Sequence, residues 1–374
     1  MTAFNISFKE FKNIAKSTAA VTTCTMLDVT MVDVSDSGIV FETVGIGTDQ
    51  NLWRVSKTAN SIDGRGRFFM PTESIELICK LKLNAKQDTL HFVSNGDTFT
   101  VYTISGKKID MAAAQIEDYD ECFGAMPKLD KYYARFGMKD FTTMCDNMMD
   151  FVSTERNNVV MEGMYFDWKN SRVVALDGHK ILLRNIEDNM NGADGAEGAI
   201  FNLVTNYRVL KSLSTMTGKV SVFTDKKYVY LFNDTFVLRT KAIDAVYFNV
   251  DQIMDIDYTW SARVDRAQML DIAEYDCSVL KHSGAPMVFD IANHAVTAQS
   301  DKANVQDAIY TDHVSGEWEE FGLNAQYVKD TMSILSDDII TIHGVNHKAP
   351  FFFSDGETYS ILLLPVNIQK RRHK

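Results

Sequence analysis

The chain has 374 residues, 45% of them hydrophobic and 24% charged, which allows a sizeable core and excludes a disordered polar chain. Its formal net charge of −12 argues against a protein that grips nucleic acid by bulk positive charge. The longest apolar runs, such as Ile361–Val366, are strand-length, well short of the ~20 residues of a membrane helix. The opening stretch MTAFNISFKEFK lacks the charged-then-apolar order of a signal peptide, so no membrane partner and a cytoplasmic location are expected. Cys24, Cys79, Cys122, Cys145 and Cys277 are scattered without a CxxC pair, the pattern of buried thiols in a reducing compartment.

In chain order, the first element is a short strand running into an amphipathic helix, Phe4–Ile14. The same strand-then-helix event recurs at Arg135–Met144 and at Ser261–Leu270. Phe141, Met144, Cys145, Met148 and Val152 follow the spacing of a half-buried helix. After each comes a strand pair with a polar turn, at Gly47–Asp49, Leu176–His179 and Gln299–Asp301. A second strand-led helix follows, at Phe69–Leu81, Phe201–Leu213 and Phe321–Leu335, with Thr72, Thr205 or Asn206, and Asn324 as expected N-caps. Each unit closes on a hairpin: Thr98–Ile104 with Lys107–Ala112, Tyr228–Phe232 with Thr235–Lys241, and Pro350–Phe353 with Thr358–Leu364. Ser105-Gly106, Asn233-Asp234 and Asp355-Gly356 are suitable turn dipeptides. The second-helix segments start at 69, 201 and 321, a domain-sized period. The reading is an α+β chain of three tandem modules, 1–126, 127–254 and 255–374, each with two helices on antiparallel sheets; the third ends in a short basic tail, Gln369–Lys374.

Chemistry-bearing patterns are sparse. Asp177 and His179 stand two apart without a nucleophile motif, and a turn aspartate with a pocket histidine is the expected reading over a hydrolase. His343 and His347 have metal-like spacing but no evident third ligand. Gly45-Ile46-Gly47 and Gly64-Arg65-Gly66 lack the residues of a phosphate loop. The chain is therefore expected to be no enzyme, with no cofactor and no metal.

Three stretches, in order and inside the repeat, carry a family resemblance. Val173–Ile181 (VVALDGHKI) is similar to a strand–TDGHRL segment, Gly322–Leu335 (GLNAQYVKDTMSIL) to a GFNxxYxxDxLxxL helix, and Leu362–Ile368 (LLLPVNI) to a VMPMRL terminal strand. The chain resembles the bacterial sliding clamp, the beta subunit of DNA polymerase III, over essentially its full length. The resemblance implies three clamp domains per chain and a head-to-tail homodimeric ring of six, with helices lining a hole that encircles duplex DNA. Partners would be DNA, a DNA polymerase, a clamp loader and other proteins bearing clamp-binding peptides; the alternative is a clamp-shaped scaffold that never encircles DNA. Topology rather than affinity would hold the ring on DNA, which reconciles it with the net charge of −12.

Carried over residue by residue, the peptide pocket would comprise Met161, Leu176, Gly178, His179, Lys180 and Ile181, with Phe248 and Ile253 on the connector. Asn324, Tyr327, Leu362, Leu363, Leu364, Pro365 and Val366 would close its far side. Phe248 replaces the family's usual proline and Gln252 an arginine. The DNA-facing set would be Lys12, Lys16, Lys80, Lys82, Arg156, Arg208, Lys211 and Lys281. Asp140, Asp146 and Asp150 make the third helix acidic. The matching interface stretch Asp301–Asp307 is lightly charged, so Val279 and Leu280 are expected to give apolar contact across the dimer.

Overall fold

The computed structural model describes residues 1–22, 28–45, 51–57, 61–84, 88–117, 119, 126–155, 158–192, 196–281, 283, 285–300, 302–317, 320–356 and 358–368. Arg156, Cys24, Cys122, His282, the turn at 47–49, Asp301 and the tail 369–374 lie outside the described residues.

Each expected first helix forms directly after its strand. Helix α1 (Phe8–Thr22) follows Thr2–Ser7, and α3 (Met138–Met149) follows Ala134–Gly137. Further along, α6 (Arg266–Leu280) follows Trp260–Asp265. Their apolar faces explain them: Phe8, Phe11 and Ile14 in α1 are buried, as are Phe141, Met144, Cys145 and Met148 in α3. Helix α3 ends one turn before Val152, which is nonetheless buried and donates its N–H to the Met148 carbonyl at 3.1 Å.

The second helices are α2 (Thr72–Cys79), α4 (Leu203–Leu213) and α7 (Ala325–Ile334); a short α5 (Val250–Met254) lies in the connector. Asn324 caps α7, accepting from the N–H groups of Gln326 and Tyr327. The other two expected caps are corrected. Thr72 is the first helical residue of α2, behind Pro71, which has no side-chain oxygen to offer. In α4 the cap is Asn202, which accepts from the Thr205 N–H at 3.1 Å. Asn206 is instead fully buried one turn in, where its amide donates to the Asn202 carbonyl and to Thr240 Oγ1. The apolar stripe of α4 starts at Leu203, so the chain turns helical three residues earlier than the polar Thr205-Asn206 pair suggests.

The chain divides into two compact units, 1–145 with 189–244 and 146–188 with 245–374, so the cut runs through the middle of the three sequence modules. Sheet pairing gives the reason. In the first unit an antiparallel sheet runs 134–137, 219–224, 228–232, 236–241, 52–57, 38–44, 29–35, 66–71. Its joint is the pairing of Phe236–Lys241 with Leu52–Lys57, with Leu238 opposite Trp53 and the Trp53 ring stacked on Phe236 at 5.3 Å. A second sheet of the same unit runs 62–63, 2–7, 89–94, 98–103, 108–112.

In the second unit, Lys180–Asn185 pairs with Tyr359–Leu363, setting Ile181 opposite Leu362. The sheet continues from 163–167 and 172–176 through that joint to 351–354, 339–344, 260–265 and 311–315. The remaining sheet runs 304–308, 295–299, 287–290, 321–323. All three closing hairpins form at the expected places. Gly344 lies opposite Trp260, where a Cβ would sit 2.2 Å from the indole ring. Among the described residues, no helix is long and apolar enough to cross a membrane.

Candidate functional site

The second unit brings the turn after Leu176 up to the C-terminal strand. Asp177 Oδ1 accepts from the N–H groups of His179 at 2.8 Å and Lys180 at 3.0 Å, which fixes the turn. Gly178 has φ +90°, in the left-handed region, and a Cβ there would meet Met161 Cε at 3.7 Å. The His179 carbonyl accepts from the Leu364 N–H at 2.8 Å, and the Val366 N–H donates to the Gly322 carbonyl at 2.8 Å. The segment 364–366 is thereby tied to the 177–180 turn at one end and to the strand Phe321–Leu323 at the other.

Lys180 is the central charged group. Only 5% exposed, it places Nζ 3.0 Å from Asp330 Oδ2 on α7. The ammonium sits over two rings, 4.8 Å from the centroid of Phe151 and 4.5 Å from that of Tyr327. Gln326 Nε2 donates to the other carboxylate oxygen of Asp330 at 2.6 Å. Both charges of the pair therefore have short-range partners, as low-dielectric surroundings demand. Burial raises the pKa of the Tyr327 hydroxyl, and the carboxylates of Asp177, Asp330 and Glu155 raise it further.

Beside this lies a concavity of about 320 Å³ lined by Cys277, Leu280, Lys281, Ala285, Asn324, Ala325, Gln326 and Val366. Leu364 is 37% exposed, and Pro365 and Val366 are half-buried, so the end of the C-terminal strand offers apolar surface next to polar Asn324.

In the first unit α1 and α4 pack side by side, with Ser17 Oγ 3.0 Å from Ser212 Oγ. Lys16 and Lys211 each immediately precede one of these serines and both are exposed, as is Arg208. Lys12 lies one turn back on α1, its ammonium over the Phe8 ring at 4.5 Å. Positive residues of two sequence modules thus meet along one helix seam.

No family model matches the chain. Over 230 residues it is 21% identical to the beta sliding clamps of two Streptococcus pneumoniae strains, TIGR4 and R6; the match covers 57% of this chain and 59% of each relative's length. Solved structures match over nearly the whole chain. The DNA polymerase sliding clamp of Bacillus subtilis has a TM-score of 0.83 at 17% identity, covering 98% of this chain and 100% of that one. The Bartonella birtlesii sliding clamp bound to griselimycin gives 0.79 at 16%, with coverage of 98% and 100%. The Thermotoga maritima DNA polymerase III beta subunit gives 0.78 at 14%, with coverage of 99% and 100%. This chain has the bacterial beta sliding-clamp fold.

On the clamp fold, the expected pocket residues separate into two groups. Met161, Gly178, His179, Asn324, Tyr327, Leu364, Pro365 and Val366 retain exposed or half-buried surface. Leu176, Ile181, Leu362 and Leu363 are buried within the sheet and hold that surface from beneath. Phe248 is half-buried against Tyr247, whose hydroxyl donates to the Val174 carbonyl at 3.5 Å, and Ile253 lies on α5. Of the expected interface pair, Val279 is half-buried and Leu280 is 7% exposed, turned toward the concavity beside Asn324. Lys281 lines the same concavity, while Lys80 pairs with Glu76 at 3.9 Å and Lys82 is exposed.

Sequence reasoning missed Asp330, Gln326 and Phe151. A signal existed for Asp330: it stands three residues after Tyr327 on one helix, so the two share a face. Asp177 Oδ1 serves the turn, accepting the backbone N–H groups of His179 and Lys180. His343 packs against the rings of Tyr258 and Phe352, and burial lowers its pKa. Among the described residues, no group of three or more His, Cys, Asp or Glu could hold a metal ion.

Proposed function

We propose that this chain is a DNA sliding clamp, a non-catalytic cytoplasmic processivity factor. Three modules per chain, 1–126, 127–254 and 255–374, would build a ring from two copies joined head to tail around duplex DNA. The carrying observation is the clamp fold over 98% of the chain, joined to sequence similarity with the Streptococcus pneumoniae clamps. The seam of α1 and α4, bearing Lys12, Lys16, Arg208 and Lys211, is the surface that fits a phosphate backbone. Lys80, Lys82, Arg156 and Lys281 belong to the same proposal on sequence grounds.

Two sheet ends fit ring closure. Lys108–Ala112 ends one sheet of the first unit and Asn304–Ala308 one sheet of the second. Paired between copies, such strand edges make a heterologous contact that closes if the rotation closes. Tyr275, 60% exposed and one turn before Val279 on α6, and Tyr310, 58% exposed just beyond 304–308, extend the apolar surface expected from Val279 and Leu280.

The surface around Gly178, His179, Asn324, Tyr327 and Leu364–Val366 would receive the peptides of a DNA polymerase, a clamp loader and other clamp-binding proteins. Apolar side chains around a few fixed polar groups suit a short anchored peptide.

The test is topological. The protein is loaded by a clamp loader onto nicked circular DNA, and the circle is then linearised. A clamp stays on the circle and slides off the linear form, whereas a scaffold that never encircles DNA does not load.

A further inference from the structure

The concavity that adjoins the proposed peptide surface carries a single charge. Leu280 and Cys277 of α6 and Val366 of the C-terminal segment give it apolar lining. Val366 is held there from two sides. Its N–H donates to the Gly322 carbonyl at 2.8 Å, and its own carbonyl lies so close to Gly322 that a Cβ there would meet it at 2.7 Å. Only glycine allows the segment to pack this tightly.

Two side-chain amides line the concavity, and they differ in what they have left to offer. Gln326 is committed at both ends: Nε2 donates to Asp330 at 2.6 Å, and Oε1 accepts from Cys277 Sγ at 3.7 Å. Asn324 commits only its oxygen, which accepts the N–H groups of Gln326 at 2.9 Å and Tyr327 at 3.4 Å. Those cap bonds fix the amide and leave both Nδ2 protons without an acceptor among the described residues. Lys281 is the one charged residue of the lining; it is exposed and, among the described residues, makes no ion pair. Glu274 and Asp276 of the same helix are not part of the lining, and the carboxylate of Asp330 is neutralised by Lys180.

We propose that this concavity is a carboxylate subsite. It receives an Asp or Glu side chain that flanks the apolar anchors of a partner peptide, with the carboxylate on Lys281 and the Asn324 amide and the stem against Leu280 and Val366. The inference rests on the peptide-binding reading of the adjoining surface and specifies one feature of its ligand. A volume of about 320 Å³ is at the small end for ligand clefts, which suits one acidic side chain with its stem. An exposed ammonium alone holds a carboxylate weakly in water; an oriented amide donor and apolar lining strengthen the contact and let the site tell an acid from an amide or a base. Lys281, expected from the sequence to face DNA, then serves the peptide.

The test uses fluorescence anisotropy on the full chain with short synthetic peptides, acetylated and amidated so that only side chains carry charge. All share the same Leu and Phe anchors and carry Glu, Gln or Lys on either the N-terminal or the C-terminal side. For one placement the expected order of affinity is Glu, then Gln, then Lys, with about fivefold between Glu and Gln at low salt, a gap that shrinks as salt rises. Lys281→Gln should bring the Glu peptide down to the level of the Gln peptide, and Lys281→Arg should keep the preference. Equal binding of the Glu and Gln peptides at both placements, or a preference that appears only with a free C-terminal carboxylate, overturns the subsite and leaves the pocket reading standing. Loss of duplex affinity in Lys281→Gln with the Glu preference intact gives this lysine to DNA and also overturns it. Failure of every peptide to bind overturns both readings.

Discussion

Replacing Asp330 by asparagine isolates the Lys180–Asp330 pair. The substitution keeps shape, and its amide oxygen can still accept from Gln326, so the change is the removal of one negative charge beside a buried ammonium. The side chains of Lys180 and Asp330 are 6% and 12% exposed and 3.0 Å apart. Removing one partner of such a pair costs about 3–5 kcal/mol, because the remaining charge is left in low dielectric. The two rings flanking Lys180 offset part of this, since a desolvated cation–π contact contributes about 2 kcal/mol. A net loss of about 2–4 kcal/mol is expected. In a unit of this size, 1 kcal/mol moves Tm by about 2–4 °C, so the unfolding transition should fall by about 4–16 °C. The decisive control is the double variant Lys180→Met/Asp330→Asn, which with Lys180→Met alone completes a cycle; it removes both charges together and should recover most of that loss. Scanning calorimetry of the four proteins of this cycle reads out the coupling. An Asp330→Asn variant that melts within 1–2 °C of the parent, or a double variant less stable than both single ones, would refute the reasoning.

Three further outcomes follow from other parts of the molecule. Asp276 on α6 is buried with neither carboxylate oxygen hydrogen-bonded, and burial, then the charge of Asp307, pushes its pKa up to about 6. The native state then binds this proton more tightly than the unfolded chain. The stability it contributes is present below about pH 4 and is lost as pH rises through 6; Asp276→Asn should flatten that part of the profile and stabilise the protein at pH 7 by up to about 3 kcal/mol, measured by denaturant unfolding across pH. Gly344→Ala drives a methyl into the buried Trp260 ring and should cost about 1–3 kcal/mol, seen as a lower Tm with altered tryptophan fluorescence. Lys16→Glu with Lys211→Glu should weaken binding to short duplexes and lower the slope of log K against log salt by about 2, whatever the DNA sequence, as fluorescence titration over a salt series would report.

The helices and closing hairpins were legible because their signals are local. The 3.6-residue stripe of Phe141, Met144, Cys145 and Met148 can be read from neighbours on the chain, and Asp355-Gly356 marks its turn with residues that tolerate the required backbone. Cap positions were less legible. Thr205, Asn206 and Asn202 are all chemically able to cap, and the choice fell to Asn202 once the burial of Leu203 fixed where the helix begins.

The sequence by itself determined the strand-led helices, the closing hairpins and the turn at Asp177-Gly178, all of which rest on periodicity and residue chemistry within a few positions. Tertiary structure alone decided how residues 127–254 are divided between the two compact units, since the pairing of Phe236–Lys241 with Leu52–Lys57 and of Lys180–Asn185 with Tyr359–Leu363 joins segments far apart in the chain. It also decided the role of Lys180. In the sequence that residue is a cation on a pocket wall; in the fold it is a buried ion-pair partner of a carboxylate 150 residues away. A side chain's charge is written in the sequence, but whether water, a ring or a carboxylate meets it depends on which distant strands come together.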